Sequence, residues 1–505
     1  MAQRVSRGIA AGVAALGLAV VLTGAPASAQ TQAPAGAAAA RPRMAITKHE
    51  GAFGGQKLRY TATVSEVPVT DPSGKLVGHA TTIAYVREGL KDRGKRPVMF
   101  LFNGGPGASS SPLHMSAMGP FKRTAAAPGD RGGGGWEANP DSPLDVADLV
   151  FIDPVGTGFS RAAPEADTAW VYSTTGDAEA AKGVIAGWLK ANGREASPRY
   201  VAGESYGTTR AAMLTKVARD LPFDGILLIA LVGDTAGREM PYVASLPTMA
   251  AGAWHFQKID RAGRTVDQVY AEALRFARTD YVEALIQGGS LPEADRRKVA
   301  DRMSALVGLP ASLILEKDLR LSKNDWMFNV LKDQTLRTGL LDVRVTAPLE
   351  PGQDGAIDDP ALGVVPKRAP GAPAAPPPSP AAIGAVPSPA VGRYVTEVLK
   401  YPAGAEPYYG VNFKVNAAWK HERNAGAMEA LGAAMRADPK LRLFWAAGYY
   451  DLTTPAYAAR YTLDQAGVPA AQLTAAYFPG PHGVYEGAEN LARFSAAVRA
   501  FVTAK

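Results

Sequence analysis

A serine between two glycines, Gly203-Glu204-Ser205-Tyr206-Gly207, follows the short apolar run Arg199-Tyr200-Val201-Ala202 and precedes good helix formers at 208–214. A strand that closes in such a pentapeptide and opens directly into a helix requires a sharp, strained bend, which lifts the serine hydroxyl above the sheet edge. Glycine suits both flanks because a Cβ there would press on the neighbouring strand or helix. In a chain with 53 glycines the pentapeptide alone is only moderately specific. Its weight comes from the strand before it, the helix after it and partner residues elsewhere in the chain.

The surrounding pattern predicts the sheet that such a bend needs. Alternating apolar and polar residues at 58–64 and 80–86, with Asp71-Pro72-Ser73-Gly74 between them, read as an antiparallel pair. Short, nearly continuous apolar runs follow at 98–102, 149–152, 200–202 and 226–229, and later at 441–445 and 473–478. Such runs suit strands buried on both faces. Helical stretches at 178–190 and 208–220 separate several of them. An antiparallel start that feeds a helix-flanked parallel sheet is an α/β pattern. With the serine bend, the fold class is an α/β-hydrolase: a mostly parallel central sheet flanked by helices, with an inserted helical cap.

The cap is expected at 251–345, where 255–345 is charged and helix-prone (266–277, 292–306, 324–338) and shows no convincing strand. A Pro/Ala-rich linker is expected at 346–395. These divide the hydrolase core into a first part, 51–250, and a second part, 396–505. Residues 30–50 read as a disordered lead-in.

Residues 1–29 have the layout of a signal peptide. Arg4 and Arg7 precede an apolar stretch at 9–22, and Ala27-Ser28-Ala29 fits a cleavage site before Gln30. The apolar stretch is short for a membrane span, and no cysteine follows it to carry a lipid, so no membrane anchor is expected after cleavage. The mature chain is expected to be secreted or periplasmic. It contains no cysteine, which excludes disulfides, thiol catalysis and cysteine metal sites. The net charge of +7 is small for 505 residues and is not gathered into runs, so no nucleic-acid partner is expected.

A serine nucleophile needs a base, and the base needs an orienting acid. Six histidines are available. His482, in Phe478-Pro479-Gly480-Pro481-His482-Gly483, falls on a loop after the last strand, where open α/β sheets place their sites. His421 lies in a charged stretch and reads as exposed and structural; His255 falls at the cap entrance, and His49 and His79 precede the sheet. The acid should follow the preceding strand, and Asp451 does; Asp438 precedes that strand and Asp464 falls within a helix. The Tyr206 amide and the glycine-rich loop Asn103-Gly104-Gly105-Pro106-Gly107 are the candidate donors to a tetrahedral oxyanion. That loop lacks the Lys-Ser/Thr of a P-loop and the spacing of a dinucleotide fingerprint. No metal-ligand cluster or cofactor motif is present, so no metal or cofactor is expected.

Asn103-Gly104-Gly105-Pro106-Gly107-Ala108-Ser109-Ser110, residues 148–160, Gly203-Glu204-Ser205-Tyr206-Gly207, Gly448-x-x-Asp451 and His482 together resemble the serine carboxypeptidase family, of the bacterial secreted type. The likeness covers about 55–250 and 395–500. It implies an α/β-hydrolase that removes single residues from the C-termini of peptide substrates. It implies Ser205, Asp451 and His482 as the catalytic triad and the Gly105 and Tyr206 amides as the oxyanion hole. Asn103, the Gly104 amide and a protonated Glu204 would then bind the substrate carboxylate, which implies an acidic pH preference. The family pairs that glutamate with a second one, at the position of Ala117 here. An esterase, amidase or acyltransferase would use the same triad, and a non-catalytic binding protein is the third reading.

Overall fold

The computed structural model describes residues 42–124, 134–350, 359–363, 379–422 and 424–504. The signal peptide expected at 1–29 lies outside them, as do most of the lead-in and residues 351–358 and 364–378 of the linker. Among the described residues, one ten-stranded sheet organises the chain. Its main path runs through β1 (Met44–Phe53), β2 (Gln56–Thr70), β3 (Leu76–Arg87), β4 (Val98–Phe102), β5 (Asp148–Asp153), β6 (Arg199–Glu204), β7 (Gly225–Ile229), β8 (Arg442–Gly448) and β9 (Leu473–Phe478). In space the order is β1-β2-β3-β5-β4-β6-β7-β8-β9. The first three strands and the β3–β5 pair are antiparallel. From β5 onward every pair is parallel. The fold is that of an α/β-hydrolase.

The apolar runs form strands because both sheet faces are covered. Val98, Phe100 and Phe102 of β4 enter one buried cluster and Met99 and Leu101 the other, the period of two that a pleated strand imposes. The β7 residues divide the same way, Ile226 and Leu228 against Leu227 and Ile229. Helix α1 (Thr174–Asn192) covers the first face with Val184, Ile185, Trp188 and Leu189, and Trp188 meets Phe100 edge-on at 5.6 Å. The C-terminal helix Ala488–Thr503 covers the second face with Leu491, Phe494, Val498 and Phe501. Helix α1 starts earlier than the expected 178–190 because Ser173 caps it, accepting from the Gly176 amide at 3.1 Å.

The structure corrects three expectations. Strand β1 pairs with β2 from Met44 onward, so the lead-in does not extend to residue 50. The cap boundary at 251 falls inside a helix, Met240–His255, which is buried nearly all round and so shows no amphipathic period. The helix expected at 324–338 ends at Asn329, and Leu336–Thr338 instead pairs with Thr346–Pro348 as a small antiparallel strand pair. Helices Val266–Phe276 and Glu293–Val307 form close to where they were expected, and their apolar faces join the first buried cluster of the core. Within the stretch expected as a linker, Ala385–Pro387 forms a strand that pairs with Tyr409–Asn412 beyond it. No described helix is long and apolar enough to cross a membrane.

At the start of β5, the fully buried Asp148 accepts from Arg96 Nε at 2.8 Å, from Arg194 Nη1 and from the Arg87 amide at 2.9 Å. Both guanidinium groups are themselves buried. Asp148→Ala strands two buried cations, and the expected loss of stability is about 3–5 kcal/mol, measured by denaturant unfolding. A change below about 1 kcal/mol would show that Arg96 and Arg194 find other partners.

Candidate active site

The candidate residues gather at the C-terminal ends of the parallel strands: Asn103 after β4, Ser205 after β6, Asp451 beyond β8 and His482 beyond β9. Ser205 joins β6 to helix α2 (Tyr206–Val217) with φ 57° and ψ −129°, a backbone region that side chains other than glycine rarely occupy. Its amide donates to Ile229 O at 3.0 Å, and its carbonyl accepts from Thr208 Oγ1 at 2.6 Å. The flanking glycines are required by close approach. A Cβ on Gly203 would lie 2.1 Å from Gly207 O, and one on Gly207 would lie 2.8 Å from Phe102 O. The bend therefore presses strand, helix and the β4 loop together, and the positive end of α2 points at Ser205.

Asp451 is fully buried and its two oxygens have separate partners. Oδ1 accepts from the Thr453 and Thr454 amides, both at 2.9 Å. Oδ2 accepts from Thr454 Oγ1 and from His482 Nδ1, the latter at 2.8 Å. Burial opposes ionisation of Asp451, but His482 and the Thr454 donors outweigh it and hold the pKa below the usual carboxylate range. Burial likewise opposes the His482 imidazolium, and Asp451 overcomes it, raising the basicity of the ring. The His482 amide donates to Leu341 O at 2.8 Å, which anchors the histidine loop on the segment between the Leu336–Thr338 and Thr346–Pro348 strands. The other acids are engaged elsewhere: Asp438 accepts from the Lys440 amide and Asp464 pairs with Arg460.

Asn103 is held at three points. Its Nδ2 donates to Glu204 Oε1 at 2.8 Å, its Oδ1 accepts from the Leu113 amide at 3.1 Å, and its carbonyl accepts from Arg210 Nη1 at 2.8 Å. Arg210, buried on α2, also pairs with buried Asp177 at 2.7 Å. A Cβ on Gly104 would lie 2.3 Å from the Tyr206 amide nitrogen, so the glycine loop lies directly on the serine bend. Neither the Gly105 nor the Tyr206 amide donates to a protein acceptor among the described residues. The second half of the chain braces this loop, with Asn412 N donating to Gly107 O at 2.7 Å and Ser109 N to Gly410 O at 3.0 Å.

Glu204 is 4% exposed. Burial pushes its pKa up to about 7, against the opposing influence of His482 and of a hydrogen bond from Tyr485. That bond, Tyr485 OH to Glu204 Oε2 at 2.8 Å, ties the histidine loop to the serine bend. The Ser205 hydroxyl makes no hydrogen bond to His482 among the described residues; such contacts commonly tighten only when substrate binds. Ala117 is a buried apolar residue, and besides Asn103 the hydrogen-bond partner of Glu204 is the phenol of Tyr485. His421 is exposed as expected, yet its ring stands 6.2 Å from that of Tyr206. His255 ends its helix with an edge contact to Tyr450, the residue before Asp451. Reasoning from sequence missed Tyr485, Thr454 and Arg210. The available signal was their spacing of three residues from His482, three from Asp451 and five from Ser205.

Residues 85–219 match the serine carboxypeptidase family. The matched segment holds Asn103, Gly104, Gly105, Glu204, Ser205 and Tyr206, whereas Asp451 and His482 lie beyond it. A pheromone-processing carboxypeptidase KEX1 of Cryptococcus gattii is 40% identical over 81 residues, 14% of this chain and 11% of that protein. The pheromone-processing carboxypeptidase kex1 of Pyrenophora tritici-repentis is 35% identical over 140 residues, 27% of this chain and 20% of its own. The chain thus spans a fifth or less of these curated relatives. The crystal structure of KEX1(delta)P, a prohormone-processing carboxypeptidase of Saccharomyces cerevisiae, superposes with a TM-score of 0.53 at 14% identity, covering 88% of this chain and 90% of that one. This last likeness is one of fold.

Proposed function

We propose that the protein is an exported serine carboxypeptidase that hydrolyses the C-terminal bond of peptides through an acyl-enzyme. The observation that carries this reading is a buried, elevated carboxyl, Glu204, one residue before the serine and hydrogen-bonded to Asn103. Ser205 Oγ attacks the scissile carbonyl while His482 Nε2 takes its proton. Asp451 holds the tautomer that leaves Nε2 free. The Gly105 and Tyr206 amides receive the oxyanion. The same proton passes to the leaving amine, and water, deprotonated by His482, then releases the acyl group from Ser205. Asn103, the Gly104 amide and protonated Glu204 hold the substrate's terminal carboxylate. Two carboxylates in contact must share a proton, so Glu204 must enter the complex neutral. Export rests on the leader pattern at 1–29; the two relatives above are fungal, which does not support the bacterial type expected from the sequence.

The test compares an N-blocked dipeptide with a free C-terminus and the same dipeptide amidated, from about pH 5 to 9. Both need neutral His482, so the ratio of their kcat/KM values isolates Glu204. With the pKa of Glu204 raised to about 7, the neutral form persists below that pH and is lost above it. The ratio is expected to favour the free acid by about 10²-fold at low pH, the worth of one or two hydrogen bonds to a charged group, and to fall about tenfold per pH unit above pH 7. Equal cleavage of both substrates would transfer the assignment to an esterase or amidase, the reading that apolar Ala117 favours.

A further inference from the structure

Tyr485 lies on the loop that leads from β9 into the C-terminal helix. It is 3% exposed, and its ring is fixed against Phe494 at 5.6 Å. Its hydroxyl reaches Glu204 Oε2 while Asn103 Nδ2 reaches Oε1. Among the described residues no lysine or arginine pairs with Glu204, so two neutral donors are its direct partners. Each carboxylate oxygen has two lone-pair sites. One donor on each oxygen leaves a second site free on both to carry a proton toward a ligand.

We infer that Tyr485 is a positioning residue that aims the Glu204 carboxyl at the substrate's terminal carboxylate and tunes how readily that carboxyl takes a proton. The inference rests on the carboxypeptidase reading above. A phenol stabilises the carboxylate through a hydrogen bond without adding a positive charge, so the carboxyl can still become neutral. An arginine in its place would hold Glu204 ionised. Burial and the Glu204 charge raise the phenol's own pKa well above its ordinary value, so Tyr485 remains a donor throughout. The other charged groups that face Glu204 are His482 and Glu486 from the same loop and Asp451 from the loop after β8; Asp342, Arg344 and Arg123 stand beyond, facing Glu486. Tyr485→Phe leaves all of these in place.

The experiment repeats the acid-to-amide ratio on Tyr485→Phe, Glu204→Gln and the double variant, with thermal unfolding as the check on folding. Loss of a donor to the ionised form raises the pKa of Glu204, so in Tyr485→Phe the break in the ratio is expected to move up by about one pH unit. The ratio at low pH is expected to drop several-fold as the carboxyl loses its aim. Glu204→Gln is expected to abolish the break, and adding Tyr485→Phe to it is expected to leave the ratio where it was. A break that stays in place in folded Tyr485→Phe, or an equal loss on both substrates at every pH, overturns the inference. A break that survives in Glu204→Gln overturns it even if Tyr485→Phe fails to fold. Wild-type enzyme that does not distinguish acid from amide would instead remove the carboxypeptidase reading, and the proposed substrate role of Tyr485 with it.

Discussion

Ser205→Ala is expected to lower kcat on the free-acid dipeptide by a factor on the order of 10⁶, the loss typical of deleting a triad nucleophile. On the proposed reading Ser205 Oγ forms the acyl bond at the end of β6, where the bend, α2 and the glycine loop converge. Without it, the Gly105 and Tyr206 amides and the proposed carboxylate site are still expected to bind substrate and polarise its carbonyl. A residual acceleration of roughly 10³–10⁴ over water is therefore expected. The fold is expected to be unaffected. The bend is held by the Ser205 amide and carbonyl and by its neighbours, not by the hydroxyl, and alanine keeps the same backbone demands at φ 57°. Thermal midpoints within about a degree, together with turnover at the limit of detection, are the expected pair of results. A rate within tenfold of wild type would remove Ser205 from the role.

Asp451→Asn is expected to lower kcat by about 10⁴ with little change in KM. The reason lies in how the two oxygens are partnered. The Thr453 and Thr454 amides both donate to Oδ1, so they hold the carbonyl oxygen of an asparagine in that position. Its NH₂ then faces His482 Nδ1 and donates to it. His482 is driven to the tautomer protonated at Nε2, which cannot accept the proton of Ser205. The Thr454 hydroxyl can turn to accept from the new NH₂, so the packing survives. Steady-state kinetics of the folded variant decide the matter: a loss smaller than tenfold would mean that Asp451 does not orient His482.

The central sheet was legible in the sequence because burial on both faces leaves a local mark. The apolar run at 98–102 coincides with β4, and the run at 473–478 with β9. Strand β1 was not legible. It is an edge strand with alternately exposed residues, Met44 and Ile46 among them, and it adjoins an Ala/Pro-rich stretch, so composition placed it in the lead-in. The helix at 240–255 carries Pro247 inside it and is buried on nearly every side, which erases the amphipathic period that would have announced it. The stretch at 324–338 reads as helical throughout, but Thr335 adopts φ 54° and Leu336–Thr338 takes a strand partner ten residues on, a tertiary override of local propensity.

By itself the sequence picked out the candidate nucleophile, its flanking glycines and the candidate acid and base, since each is tied to a strand end or a turn within a few residues of itself. Only the tertiary structure decided what those residues touch. That Asn103 and Tyr485, 382 positions apart, share the carboxyl of Glu204 is decided there. So is the grip of Arg210 on Asn103 O and the partition of donors between the two oxygens of Asp451. The physical reason is range. A strand, a cap or a sharp bend follows from the conformational preferences of neighbouring residues, whereas a hydrogen bond between distant loops exists only where sheet packing brings donor and acceptor atoms within about 3 Å.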